Sequence, residues 1–207
     1  MQPAQNPIEI YQLRVVLRET SPHIWRRFLI RGDSSIVDLH QTIQIALGWS
    51  GRQVFQFDVQ GHRQGVSRKR DARHILLSDF RFYVKERLTY AYNIADQESR
   101  PWRFEIRLEQ KLAVAVHQHY PCCIGGVGAP PPERCGGPVA FESLRDVFTP
   151  EYVAWRSAEM RAKGWTTEHE EELYQLQPWI HRKLDRRAIN QQLRQIDNHP
   201  RKERPQP

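Results

Sequence analysis

Alternation of apolar and polar residues dominates the first half of the chain. From Ile8 to Arg18, the residues Tyr11, Leu13, Val15 and Leu17 fall on one side and Gln12, Arg14 and Arg18 on the other, the period of a half-buried strand. After the turn Glu19-Thr20-Ser21-Pro22, the run His23 to Arg31 alternates again, and so short a connection predicts antiparallel pairing with the first strand. Adjacent residues of a strand face opposite ways, so Arg26 and Arg27 cannot serve one ligand together, and one of them should cover the sheet. The period then lengthens. Ile36, Leu39, Ile43, Ala46 and Leu47 form the stripe of an amphipathic helix, with Ser34 or Ser35 and Asp38 as an N-terminal capping box and Gly48 as C-terminal cap. His40 beside that stripe reads as a packed or surface residue. Period two returns in Gln53 to Val59, in Leu88, Tyr90 and Tyr92, and in Trp102, Phe104, Ile106 and Leu108. Arg103, Glu105, Arg107 and Glu109 point outward from the last of these and read as one solvated face.

Between these runs, Gly61 to Arg73 is polar and basic and reads as a surface loop, and His74 to Phe80 as a turn of helix. Leu112 to His119 continues as an extended piece into Cys122–Gly137, which holds all three cysteines, five of the eleven glycines and three of the fourteen prolines. That composition suits neither a helix nor a central strand, so a shaped loop is expected. Beyond it the chain turns helical. Phe141 to Phe148 is amphipathic; Thr149-Pro150-Glu151 starts a helix that Gly164 ends; Thr167 with Glu170 caps another; and a last helix runs to about Ile196 on Ile189, Leu193 and Ile196.

The pattern predicts an α+β architecture: an antiparallel β-sheet with one early packed helix and a helical C-terminal third. The expected organisation is a core domain over 1–148 containing the cysteine/proline loop 120–138, a helical extension packed on it over 149–197, and a disordered basic tail over 198–207.

Composition narrows the class. Of 207 residues 39% are hydrophobic and 10% aromatic, with six tryptophans, enough for a core. Mean hydropathy is −0.71 and no apolar run is long enough to cross a bilayer. The N-terminus has neither the basic nor the apolar region of a signal peptide, so no membrane partner and a cytoplasmic location are expected. In a reducing compartment three cysteines are free thiols or metal ligands rather than a disulfide framework.

The formal net charge is +7, and the thirty residues from Pro178 carry eight Lys or Arg against three acids, that is +5 of it. Nucleic acid is the partner such charge suggests, through two segments: Arg68, Lys69, Arg70 and Arg73 in the basic loop, and Arg182, Lys183, Arg186 and Arg187 near the C-terminus. The C-terminal basic residues are not interleaved with aromatics, so the simpler reading there is a solvated helix and a frayed tail.

Taken in order, several short motifs resemble the plasmid pRiA ORF-three-like family, whose members are also labelled transposon passenger or TnpR-like proteins. They are Tyr11-Gln12-Leu13-Arg14-Val15, Ile24-Trp25-Arg26-Arg27, Asp38-Leu39-His40, Gly48-Trp49, Tyr92-Asn93-Ile94-Ala95-Asp96, Trp102, Tyr120-Pro121 with Cys123, Pro131-Pro132-Glu133, Cys135-Gly136-Gly137, and Asp185 followed by Ile189-Asn190 and Leu193. The resemblance implies an α+β domain of plasmids and mobile elements and no particular reaction. A serine recombinase would need a nucleophilic serine beside clustered arginines, and Ser34 and Ser35 are explained as helix caps. Against the family pattern, Phe104 replaces a common histidine, Pro130 replaces a frequent cysteine, and Gln97 to Pro101 lengthens a short gap. Those replacements imply that a metal site, where the family has one, has lost ligands here.

Three candidate sites follow. His117, His119, Cys123 and Cys135 are the strongest possible zinc set, although the second knuckle offers Cys135 alone, and the expectation is no cofactor. No third group orients a Cys–His pair, so no catalytic residue is assigned. Trp25, Arg26, Tyr92, Asp96, Trp102 and Glu133 are candidates to line a pocket between the sheet and the cysteine loop. Two functions stay open. One is a non-catalytic binding or accessory protein of plasmids or mobile elements that contacts nucleic acid through the basic loop and the C-terminal arginines; the other is a small enzyme using that pocket.

Overall fold

Strand pairing follows the alternation. In a computed structural model that describes residues 8–64, 72–95, 100–164 and 184–196, seven strands form one antiparallel sheet: β1 (Glu9–Leu17), β2 (Trp25–Arg31), β3 (Phe55–Val59), β4 (His62–Gln64), β5 (Arg87–Tyr92), β6 (Trp102–Ala113) and β7 (Cys122–Val127). Their order is β4-β3-β5-β6-β1-β2-β7, which puts the longest strands at the centre. Among the described residues four α-helices accompany the sheet: α1 (Ile36–Leu47), α2 (Gly137–Val147), α3 (Pro150–Lys163) and α4 (Arg186–Ile196). The architecture is α+β.

One face of the sheet is apolar along every long strand, and the helices lie against it. Leu13, Val15, Phe28, Ile30, Phe57, Tyr90, Phe104 and Ile106 join Leu39 and Ile43 of α1, Phe141 of α2, Val153 of α3, and Ile189 and Leu193 of α4 in a single buried cluster. Burying side chains of this size contributes about 1.5–3 kcal/mol each, and their continuity fixes the register. Trp49, just past α1, stacks on Tyr92 and touches Trp102 and Phe104, so Phe104 is an element of the aromatic core. The opposite face carries only a small apolar cluster at one end, where Ile10, Tyr120 and Cys122 meet Leu29 and Ile124. Elsewhere its side chains are half-buried or exposed.

The helix ends obey their sequence signals. Ser35 caps α1 with Asp38 completing the box, and Gly48 adopts the left-handed conformation at φ 66° that ends it. Thr149 caps α3 ahead of Pro150, and Gly164 ends that helix. His40 is buried in the core, stacked on Phe55 and bonded through Nδ1 to the Tyr90 hydroxyl at 2.7 Å.

Three expectations are corrected. Cys122–Val127 is an edge strand paired with β2, not part of a loop. Gly126 suits that strand because β2 comes too close for a side chain there: a Cβ on it would lie 2.7 Å from the Trp25 carbonyl oxygen. Secondly, the piece from Leu112 is strand only to Ala113. A turn follows in which Gln118 N–H bonds the Ala115 carbonyl and His117 has φ 65°, because alternation ends with no neighbouring strand to pair. Thirdly, the basic loop begins as strand, His62–Gln64 pairing back on β3 through the turn at Gly61. The helix expected from Thr167, and the tail over 198–207, lie outside the described residues.

The new edge is closed from α4. Asn190 accepts from the Cys123 N–H through Oδ1 at 2.7 Å and donates through Nδ2 to the Cys123 carbonyl at 3.0 Å, taking the place of a neighbouring strand residue.

Candidate functional site

The sheet face that none of the described helices covers carries a row of arginines that the register dictates. Arg87 of β5 stands opposite Arg107 of β6, Arg107 opposite Arg14 of β1, and Arg14 opposite Arg27 of β2. Arg14, Arg27 and Arg107 each sit between buried neighbours in their strands and Arg87 precedes buried Leu88 at the start of β5, so all four point to the open side. With strands about 4.8 Å apart the row is about 14 Å long. Like charges directly opposite each other on a sheet destabilise it, so the row is not explained by the needs of the fold.

The ends of the row are neutralised and its middle is not. Arg27 makes a bidentate pair with Glu109, Nε to Oε2 at 2.6 Å and Nη2 to Oε1 at 2.9 Å, and Gln12 adds a hydrogen bond to the same carboxylate at 2.8 Å. The bonded Arg27 guanidinium holds the Glu109 carboxyl below its ordinary range, and the same bond raises Arg27. Arg87 lies 3.3 Å from Glu105, which Arg18 approaches at 3.7 Å. Arg14 and Arg107 form no ion pair among the described residues, and the Arg14 Nε is buried without a hydrogen-bond partner there. Beside the row, the indole of Trp25 has two guanidinium neighbours, Arg14 at 5.1 Å and Arg27 at 5.2 Å from its ring centroid. Arg103, exposed on β6, belongs to the same face. The face therefore presents Arg14, Arg18, Arg27, Arg87, Arg103 and Arg107 against Asp58, Glu105 and Glu109, a net positive surface with an aromatic ring in it.

The residues expected to line a pocket divide between the two faces. Trp25 is on the open side, whereas Tyr92 and Trp102 are buried on the helical side, so they do not line one cavity. Arg26 also faces inward, and its guanidinium bonds the carbonyls of Ala46, Trp25, Val127 and Gly128, tying the end of α1 to β7. Burial pulls its pKa down to about 10. Glu133 pins the proline segment to the end of α1: Oε1 accepts from the Tyr92 hydroxyl at 2.5 Å and from Ser50 Oγ at 2.8 Å, and Oε2 accepts from Ser50 N–H at 2.7 Å. Trp49 Nε1 donates to the Pro131 carbonyl at 2.8 Å alongside. Burial, then the bond to Glu133, pushes Tyr92 up to about 12. Glu133 and Tyr92 thus form a clasp. Asp96 lies outside the described residues.

The metal candidates are dispersed. Cys123 is buried in the core, its thiol 3.5 Å from the Gly125 carbonyl oxygen, while His117 and His119 are exposed on the turn before β7 and Cys135 is half-buried beyond it. The turn at His117 takes both histidines out of the extended piece expected there. Among the described residues no three His, Cys, Asp or Glu side chains gather to hold a metal ion. Burial raises all three thiols, Cys135 to about 11, which keeps them protonated and poorly nucleophilic.

Of the basic candidates, Arg68, Lys69, Arg70, Arg182 and Lys183 lie outside the described residues. Arg73 and Arg187 are exposed, and Arg186 donates to the Ile124 carbonyl at 3.0 Å, on the edge strand. The open-face row was missed as a site because single-strand alternation shows that an arginine faces outward but not which residue stands across from it. Its signal was an arginine at an outward position of four separate strands.

A two-layer α+β protein with one helix-covered and one basic sheet face is the class these features define. Its fold is similar to the crystal structure of a protein of unknown function, MM3350, from Methanosarcina mazei Go1, with a TM-score of 0.65 at 22% identity over 88% of this chain and 97% of that one. The family model described as plasmid pRiA4b ORF-3-like protein matches residues 9–192, and the chain belongs to that plasmid-associated family. The uncharacterized protein y4hQ of Sinorhizobium fredii is 26% identical over 142 residues, 65% of this chain and 71% of that protein. No helix among the described residues is long and apolar enough to cross a membrane.

Proposed function

We propose that this protein is a non-catalytic accessory protein of plasmids that binds nucleic acid on its open sheet face. The observation that carries the reading is the in-register row Arg87-Arg107-Arg14-Arg27, which sets like charges opposite one another, an arrangement that works against the sheet, and whose two middle members form no ion pair among the described residues. A polyanion supplies what the fold withholds: phosphates along the row would relieve the repulsion and release bound counterions. Arginine suits the role better than lysine because its planar fork bonds phosphate in a bidentate manner and stacks on rings. The exposed Arg73 and Arg187 and the basic C-terminal segment add long-range attraction outside the face. An enzymatic reading has less support, since the inward pocket candidates are engaged with one another or with backbone.

Fluorescence anisotropy with labelled oligonucleotides across a salt series tests this. Binding should weaken steeply as salt rises, with a log–log slope of roughly −2 to −4 for about three to five neutralised phosphates. Absence of binding at low salt, or equal binding to an acidic polypeptide such as poly-glutamate, would contradict the proposal.

A further inference from the structure

We infer, resting on that reading, that the ligand is single-stranded and that one of its bases stacks on Trp25. Double-helical DNA is recognised by elements that fit its grooves, and the major groove is about 12 Å wide. The arginine row alone spans about 14 Å and lies within a sheet of seven strands, so this face fits the major groove poorly and would meet a duplex mainly through its phosphates. A single strand has no such constraint, and its unstacked bases are free to lie on aromatic rings while the backbone follows a basic surface.

Trp25 is placed for this at one end of the row. It is half-buried, so its ring reaches the surface, and its two guanidinium neighbours differ in how firmly they are held. Arg27 is fixed by the bidentate pair with Glu109 and by Gln12 behind that carboxylate. Arg14 forms no ion pair within 4 Å among the described residues, its charge reaching Glu109 only at longer range, and its Nε has no hydrogen-bond partner there. Arg14 is therefore the group that moves: it exchanges the indole for a phosphate next to Arg107, satisfies its orphaned donor, and leaves the ring of Trp25 to a base. Arg27 stays beside the ring, held by Glu109. In the free protein a phosphate ligand thus rests against the stacking residue.

The test compares four labelled probes on the full chain: an oligothymidine strand of about 12 nucleotides, a strand of equal length lacking bases, a duplex of equal length, and the corresponding oligouridine strand. The thymidine strand should bind about tenfold tighter than the abasic strand, the expected scale for one stacked base, and tighter than the duplex. Trp25→Ala should remove the difference between the thymidine and abasic strands, and Trp25→Phe should keep most of it. A preference for either sugar in the two single strands identifies DNA or RNA as the source and agrees with the inference. A duplex bound as tightly as the single strand, or an abasic strand bound as tightly as the thymidine strand, would overturn it while leaving nucleic-acid binding in place. The abasic comparison uses the unmodified protein, so it stands even where Trp25→Ala does not fold. Binding to none of the probes would overturn the proposed function as well.

Discussion

Arg107 separates the two explanations of an arginine row. It faces Arg14 on one side and Arg87 on the other, and among the described residues it has neither a carboxylate nor an aromatic partner. If the row exists for a ligand, Arg107→Thr removes repulsion and places a β-branched residue in a central strand. Stability should rise by about 0.2–1 kcal/mol at low salt, with a smaller gain at high salt where the charges are screened. Oligonucleotide binding should weaken in the same variant. Thermal melts at two salt concentrations check the first half, and loss of stability at both would show that the row serves the fold. Trp25 makes the corresponding point about legibility. Its neighbours Arg26 and Arg27 were plain in the sequence, but its place on the open face was not, and its guanidinium partners are Arg27 and Arg14. Arg14 arrives from another strand, and Arg26 turns inward to bond four carbonyls.

At the scale of elements, alternation and capping chemistry were legible because each depends on neighbours in sequence. Ser35, Asp38 and Gly48 mark α1, and Thr149 with Pro150 marks the start of α3, by interactions within a turn of the chain. The edge strand β7 was not legible, since its Gly126 is set by the closeness of β2 and its outward backbone groups are satisfied by Asn190 from the far end of the chain. The clasp at Glu133 is likewise long-range, joining the proline segment to Ser50 and Tyr92. Burial alone would raise the Glu133 pKa, but hydrogen bonds from Tyr92 and Ser50 outweigh it and hold it below the ordinary value of 4.5. A lowered carboxyl pKa stabilises the fold above its unfolded value and loses that contribution as pH falls through the folded one. Glu133→Gln should therefore cost about 1 kcal/mol at neutral pH. It should also flatten the decline of melting temperature below about pH 4.5 relative to the parent. An unchanged acid limb in the variant would show that the clasp does not depend on the charge.

For the molecule as a whole, the helices, the apolar sheet face and the clasp account for one side, and the arginine row with Trp25 occupies the other. Net charge alone would draw any polyanion to this chain, and much of that charge lies in the C-terminal segment. What distinguishes the account is location. The decisive measurement compares oligothymidine affinity in two variants that remove equal charge: Arg14→Gln with Arg107→Gln on the open face, and Arg201→Gln with Arg204→Gln near the C-terminus. At moderate salt the open-face pair should weaken binding at least tenfold and the C-terminal pair by less than about threefold, since contacts made directly with phosphate outweigh screened long-range attraction. Equal losses in the two variants, or a larger loss from the C-terminal pair, would contradict the assignment of the sheet face as the binding site.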